Sequence, residues 1–314
     1  MNYYPIIVPT LCRFEHFRRC IESLKKCVFA DKTEIVVGLD YPAKESHYHG
    51  YIKIKEYLSV LEGFAKITIL YTNINLGQEA NQKRLIDYVK NKYDACILTE
   101  DDNEFSPCFL EFVNYGLNKF RDNKKIYAIT GYSPIEYENM TLNPIILSRY
   151  AFMWGVGLWI GKNSPISISY LDKSCRTFKN GIKIFMNIPA VLGMFVVMIR
   201  KKTKYGDICR SVENILDDRY ILMPNVSMVR NIGQDGSGLH SGVNENILNQ
   251  NITSELHFSY TQNDLDNAFL ETKGIKYRIR SFGLMLSNNK IKVFFQLFRI
   301  IIRWIVYKFS KRVV

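Results

Sequence analysis

Short apolar runs alternate with segments of helical period along the first 134 residues. That pattern predicts strand, helix, strand repeats and a mainly parallel sheet. Pro5 to Val8, Glu34 to Leu39, Lys66 to Tyr71, Ala95 to Thr99 and Ile126 to Thr130 read as strands. Phe14 to Cys27, Tyr48 to Leu61, Gln78 to Lys90 and Pro107 to Phe120 read as helices, the last with Ser106 as its cap and Pro107 in its first turn. The expected fold class is therefore α/β, a Rossmann-like sheet flanked by helices.

The alternation fades from about residue 135. Met153 to Trp159, MWGVGLW, sets two glycines among bulky rings, which suggests close backbone approach beside aromatic surfaces. Ile188 to Ile199, IPAVLGMFVVMI, is strongly apolar but only twelve residues long. A spanning helix needs roughly 20, so a buried helix is expected there, with a membrane-facing acceptor surface as the alternative.

In open α/β sheets, ligands gather beyond the carboxyl ends of the strands. Four polar features fall at such ends: Thr10 to Arg13, Asp40, Asn75 to Gly77, and the acidic run Glu100-Asp101-Asp102 in a strand-to-helix loop. One crevice can hold all four. Three acids side by side repel one another unless they are solvated, paired with bases or neutralised by a cation. Hard divalent ions such as Mg2+ or Mn2+ take oxygen ligands and bridge protein carboxylates to substrate phosphates. The plainer alternative is a solvated loop whose charge favours the following helix N-terminus.

Composition adjusts this picture in three ways. At 314 residues the chain can bury a substantial core. Its seven cysteines, with no CxxC pair, fit reduced structural thiols, a reducing compartment, and chance sequons at Asn139, Asn225 and Asn251. The start, MNYYPIIVPT, lacks the basic leader and apolar region of a cleaved signal, so the expected location is cytoplasmic. Of the net charge of +12, +7 falls within the last 25 residues, where there is no acid.

The order Pro9-Thr10-x-x-Arg13, a strand ending in Asp40, Asn75-x-Gly77, then Thr99-Glu100-Asp101-Asp102 resembles the nucleotide-sugar glycosyltransferases of the GT-A type. Glu-Asp-Asp is similar to the metal motif of the N-acetylglucosaminyltransferase I type. Val229 to His240, VRNIGQDGSGLH, resembles a segment of bacterial surface-polysaccharide glycosyltransferases. The resemblance implies Asp102, with His240, as metal ligands for Mn2+ or Mg2+. It implies donor contacts from Thr10, Arg13, Asp40, Asn75, Gly77, Glu100 and Asp101, with a UDP-sugar favoured. Trp154 and Trp159 would meet a glycan or lipid-linked acceptor, with core packing as the competing role. Asp207, in Tyr205-Gly206-Asp207 ahead of a helical stretch, would be the catalytic base of an inverting transfer; a helix cap is its alternative role, and Asp217 or Asp218 remain as other bases.

Residues 1–134 are then the nucleotide-sugar-binding half, 135–260 the acceptor-binding and catalytic half, and 261–314 a C-terminal extension. In that extension Lys292, Gln296, Arg299, Arg303 and Ser310 share one helical face amid Phe, Ile and Val, with Trp304 and Tyr307 nearby. This basic amphipathic helix suits peripheral attachment to an anionic inner membrane face. A core helix, a partner-binding helix and a short spanning helix are alternatives. No nucleic-acid module is apparent. A nucleotidyltransferase and a catalytically silent glycan- or membrane-binding module are the rival functions.

Overall fold

The structure, a computed structural model, describes residues 2–137, 140–162, 165–237 and 242–310. Its elements in the first half are β1 (Ile6–Thr10), α1 (Phe14–Lys25), β2 (Glu34–Leu39), α2 (Tyr48–Ser59), β3 (Lys66–Tyr71), α3 (Gln78–Val89), β4 (Ala95–Leu98), β5 (Asn103–Phe105), α4 (Phe109–Lys119) and β6 (Ile126–Thr130). There follow β7 (Ile145–Ser148), β8 (Val156–Trp159), α5 (Ile168–Cys175), α6 (Phe178–Asn187), α7 (Pro189–Lys201), α8 (Gly206–Leu216), β9 (Tyr220–Pro224) and β10 (Val229–Asn231). The chain continues through α9 (Glu245–Leu248), α10 (Gln262–Glu271), α11 (Ile275–Gly283) and α12 (Lys290–Phe309).

Eight strands form one sheet in the order β3-β2-β1-β4-β8-β6-β9-β7. The β1–β2, β2–β3, β1–β4 and β6–β9 pairs are parallel. β8 runs antiparallel between β4 and β6, and β7 lies antiparallel on β9 at the edge. The strands come from both sides of residue 134, so the two halves share one sheet.

The MWGVGLW stretch supplies β8, a central strand. Its glycines have a packing reason: a Cβ on Gly157, within β8, would lie 2.5 Å from Val113 of α4, and one on Gly155, just before β8 and at φ +59°, would lie 2.8 Å from Val229 of β10 and 3.0 Å from Phe109 of α4. Helix α4 also departs from expectation. It begins at Phe109 with no side-chain cap, because the Ser106 hydroxyl turns to Cys108 Sγ instead, 3.3 Å away. The loop before it contains β5, which pairs with β10.

A second apolar cluster joins α5 through α8 with α11 and α12. Ile188 stands at the N-cap of α7 and Pro189 to Ile199 lie within the helix, which is largely buried. α12 docks on α7 through Ile300, Trp304 and Tyr307. Two glycines let it approach: Trp304 lies over Gly181 and Ile300 over Gly193. The Trp304 indole donates to the Cys175 carbonyl (2.9 Å) and the Tyr307 hydroxyl to Asp172 Oδ1 (2.6 Å). Trp304 and Tyr307, read from the sequence as interfacial rings, are thus buried against the protein.

Candidate active site

A cavity of about 1690 Å³ opens beyond the carboxyl ends of β1, β4 and β6. Its wall includes Glu100 after β4, Tyr132 after β6, Tyr150 and Trp154 before β8, and Asp207 in the first turn of α8. The cavity lies at the carboxyl ends of strands, but of the four polar features expected to share one crevice only the acidic run reaches its wall, through Glu100; Thr10, Arg13, Asp40, Asn75, Gly77, Asp101 and Asp102 do not line it.

The acids of the 100–104 loop have separate partners. Asp101 accepts from the Thr10 hydroxyl (2.7 Å) and from Arg13 (2.8 Å). Asp102 accepts from Arg13 (2.6 Å) and from the Asn231 amide (2.8 Å). Glu104 pairs with Arg19 and Arg230, each at 2.7 Å. Burial alone would lower the pKa of Arg13, but Asp101 and Asp102 outweigh it and keep the guanidinium charged.

Glu100 differs. Its half-buried carboxylate lines the cavity and has no hydrogen bond or ion pair among the described residues. Burial, then the charges of Asp102 and Asp101, with a smaller push from Asp207, raise its pKa to about 8, against the opposing pull of Arg13.

The glycine-rich segment joins this loop directly. β10 pairs antiparallel with β5 in the register Asn231 to Asn103, and the Ile232 amide donates to the Asp102 carbonyl (2.8 Å). Asn231 donates to Asp102 while its own Oδ1 accepts the Gly233 amide (3.0 Å). A Cβ at Gly233 would stand 2.0 Å from Asp102 Oδ2, so only glycine lets the segment cross at this height. Asp235 accepts from the Ser237 hydroxyl (2.6 Å) and amide and contacts His16 (3.0 Å). Those bonds, led by the Ser237 hydroxyl, hold its pKa down at about 2. His240 lies outside the described residues.

On the opposite wall, Asp207 Oδ2 accepts the Tyr150 hydroxyl at 2.6 Å. Burial first, then Asp207, raises the Tyr150 pKa, so the phenol stays a donor. The Ser211 hydroxyl donates to the Asp207 carbonyl (2.6 Å) and accepts the Ala151 amide (2.9 Å), fixing this turn against the strand side. Asp207 does not cap the helix: the cap residue is Tyr205, and no side-chain cap bond forms. Asp217 pairs with Arg219, and Asp218 with Arg149 and Lys183; both are exposed and neither lines the cavity.

The aromatic pair divides. Trp154 lines the cavity with its ring 4.6 Å from that of Tyr132. Trp159 is buried in β8, donates to the Leu117 carbonyl (3.0 Å) and has no place in the wall. Core packing, the competing role, is what the structure gives it. Asp40 is also committed. Its carboxylate accepts the amides of Tyr41, Leu76 and Gly77 at 2.8–2.9 Å and a longer bond from Asn75 (3.4 Å). It therefore holds the 75–77 turn in place, with Gly77 at φ +78°.

No group of three His, Cys, Asp or Glu side chains converges as a metal cage among the described residues. Mg2+ and Mn2+ do not require one, since one or two carboxylates plus substrate phosphates and water suffice. Glu100 offers a hard oxygen donor that is unpartnered among the described residues. Each oxygen of Asp102 accepts a single bond and keeps a further lone pair. Glu100 therefore offers the cavity one donor of the kind such an ion takes, while Asp102 lies outside the cavity wall.

Two contributors have weak sequence signals. Asn231 stands within the quoted glycine-rich segment, yet an amide there reads as loop chemistry. Tyr150 has no motif around it, and only the packing of α8 against the chain before β8 brings it to Asp207.

No family model matches this sequence, and no curated protein does. Among solved structures, the chain is similar to S. aureus TarS (TM-score 0.30, 14% identity, 41% of this chain and 21% of that one). It is similar to the mannosyltransferase PcManGT from Pyrobaculum calidifontis in complex with GDP-Man and Mn2+ (0.37, 11%, 50% and 44%). It is also similar to mouse xyloside xylosyltransferase 1 in its apo form (0.30, 12%, 54% and 71%). The match spans less than half the length of the first two. The functional case is carried by the residues of the site.

Proposed function

We propose that the protein is a metal-dependent, inverting glycosyltransferase. In this reading it moves a sugar from a nucleotide-diphosphate donor, a UDP-sugar favoured, to a glycan or lipid-linked acceptor in bacterial surface polysaccharide synthesis. One observation carries the proposal. A carboxylate oriented by a buried phenol, Asp207 with Tyr150, shares a cavity at the strand ends with Glu100, an acid unpartnered among the described residues, on a loop that the glycine-rich segment braces.

Asp207 is the base. Held at one oxygen by Tyr150, it keeps the other to take the proton of an acceptor hydroxyl as that hydroxyl attacks the anomeric carbon. Trp154 gives the acceptor sugar a flat apolar face. Thr10, Arg13, Asp40, Asn75 and Gly77 form the donor side. Thr10 and Arg13 set the orientation of Asp101 and Asp102, while Asp40 shapes the turn that presents Asn75 and Gly77.

Glu100 and Asp102 would hold a divalent ion, with His240 as a further proposed ligand. When bound, the ion supplies positive charge beside the leaving diphosphate. Asp101 orients donor hydroxyls. Acceptor and leaving group on opposite sides of the anomeric carbon favour inversion by direct displacement through an oxocarbenium-like state.

A panel of nucleotide sugars incubated with the protein and Mn2+ tests the reading. Release of nucleoside diphosphate supports it. Release of pyrophosphate would make the protein a nucleotidyltransferase, and no turnover with any donor would make it a binding module.

A further inference from the structure

The charge of this protein is sorted by location. Residues 173–206 and 272–314 contain nineteen Lys and Arg and no Asp or Glu, whereas the rest of the chain holds 23 basic and 30 acidic residues. The two segments are far apart in sequence, yet α6 and α7 of the first pack against α11 and α12 of the second in one apolar cluster. Among the described residues the positive excess therefore gathers in this helical layer.

That layer also carries bare apolar side chains. Ile275 and Ile279 of α11 and Phe294, Phe298 and Phe309 of α12 are each more than half exposed, as is Phe178 of α6. Lys273, Arg278, Arg280, Lys290, Lys292 and Arg299 stand among them and form no ion pair among the described residues. No helix among the described residues is long and apolar enough to cross a membrane. The chain between α11 and α12 brings Leu284, Met285, Leu286 and Asn288 into the wall of the candidate active site.

We infer that this layer is a docking surface for an anionic lipid bilayer, and that the cavity is presented to the bilayer along the 284–288 edge. Interleaved phenylalanine, isoleucine and unpaired bases match the boundary between headgroups and acyl chains, where rings enter and Lys and Arg meet lipid phosphates. A nucleic-acid backbone would match the bases and leave the rings exposed. The surface deepens the glycosyltransferase reading and rests on it in one respect: the acceptor is then a lipid-linked glycan carried by the same membrane.

Co-sedimentation of the full chain with vesicles tests this, using phosphatidylcholine alone and phosphatidylcholine with phosphatidylglycerol. Two double variants are compared, Lys292→Glu with Arg299→Glu and Phe294→Ser with Phe298→Ser, all at exposed positions outside the site. Expected is binding to the anionic vesicles only, weakened about tenfold or more by the charge pair and also weakened by the phenylalanine pair. Equal binding to neutral vesicles, unchanged binding in the charge variant, or preference for a DNA duplex over vesicles would overturn the inference. Nucleotide release from a donor sugar in vesicle-free solution reports the site separately, so failure of the surface and failure of the enzymatic reading are told apart.

Discussion

Glu100→Gln isolates the electrostatics of the site. The wild-type carboxyl has a folded-state pKa of about 8 against an ordinary 4.5. Below the lower value it is protonated in both folded and unfolded chains and contributes no difference. As pH rises through this window the unfolded chain gives up its proton while the folded chain keeps it, so stability falls. Above the upper value the folded chain carries the charge and the full penalty stands.

A displacement of that size sets a ceiling of about 5 kcal/mol. Solvent reaches the half-buried carboxylate and screens its charge, so about 2 kcal/mol is expected. Glutamine keeps the shape without the charge. Urea unfolding should therefore give the variant and the wild type similar midpoints at about pH 4, with the variant more stable by about 2 kcal/mol at about pH 9. Millimolar Mn2+ should narrow the gap, because the ion compensates only the charged side chain. A gain that is the same at both pH values, or a variant less stable in alkali, would refute the reasoning.

Other outcomes follow from the same geometry. Gly233→Ala directs a methyl at Asp102 Oδ2, whose carboxylate Arg13 and Asn231 hold in place. Turnover should fall about 100-fold while circular dichroism stays native, and wild-type turnover would show that the segment can move aside freely. Trp304→Ala removes a buried ring and its bond to the Cys175 carbonyl. It should cost about 3–5 kcal/mol of stability, and a loss below about 1 kcal/mol in urea titration would mean that α12 is not docked.

The first half of the fold was legible because its strands are parallel or flank helices of regular period. The strand and helix ends there agree with the apolar pattern to within two residues. The second half was not, and β8 shows why. It is buried on both faces between two neighbours, so its side chains do not alternate, and its one glycine, Gly157, lets α4 approach. The same cause turned Trp159 from an acceptor residue into a core residue.

The acidic loop was legible as a candidate site and harder to resolve into roles. The resemblance of Glu-Asp-Asp to a known metal motif implies the last acid, Asp102, as the ion's ligand. Which acid faces the cavity depends on where the bases Arg13, Arg19 and Arg230 lie, and contacts between distant parts of the chain decide that. The pairing of β5 with β10, which makes one site of two separate motifs, is likewise a tertiary contact that neither motif announces.

The central claim is that Asp207 deprotonates an acceptor in a metal-dependent sugar transfer. It is tested most directly by measuring transfer and donor binding side by side for wild type and Asp207→Asn, with the nucleotide sugar that gives diphosphate release in the panel. The account predicts wild-type transfer that needs Mn2+ or Mg2+, and a variant that binds the donor with unchanged affinity while transfer drops about 1,000-fold. Transfer retained by the variant, or transfer by the wild type in the presence of EDTA, would contradict it.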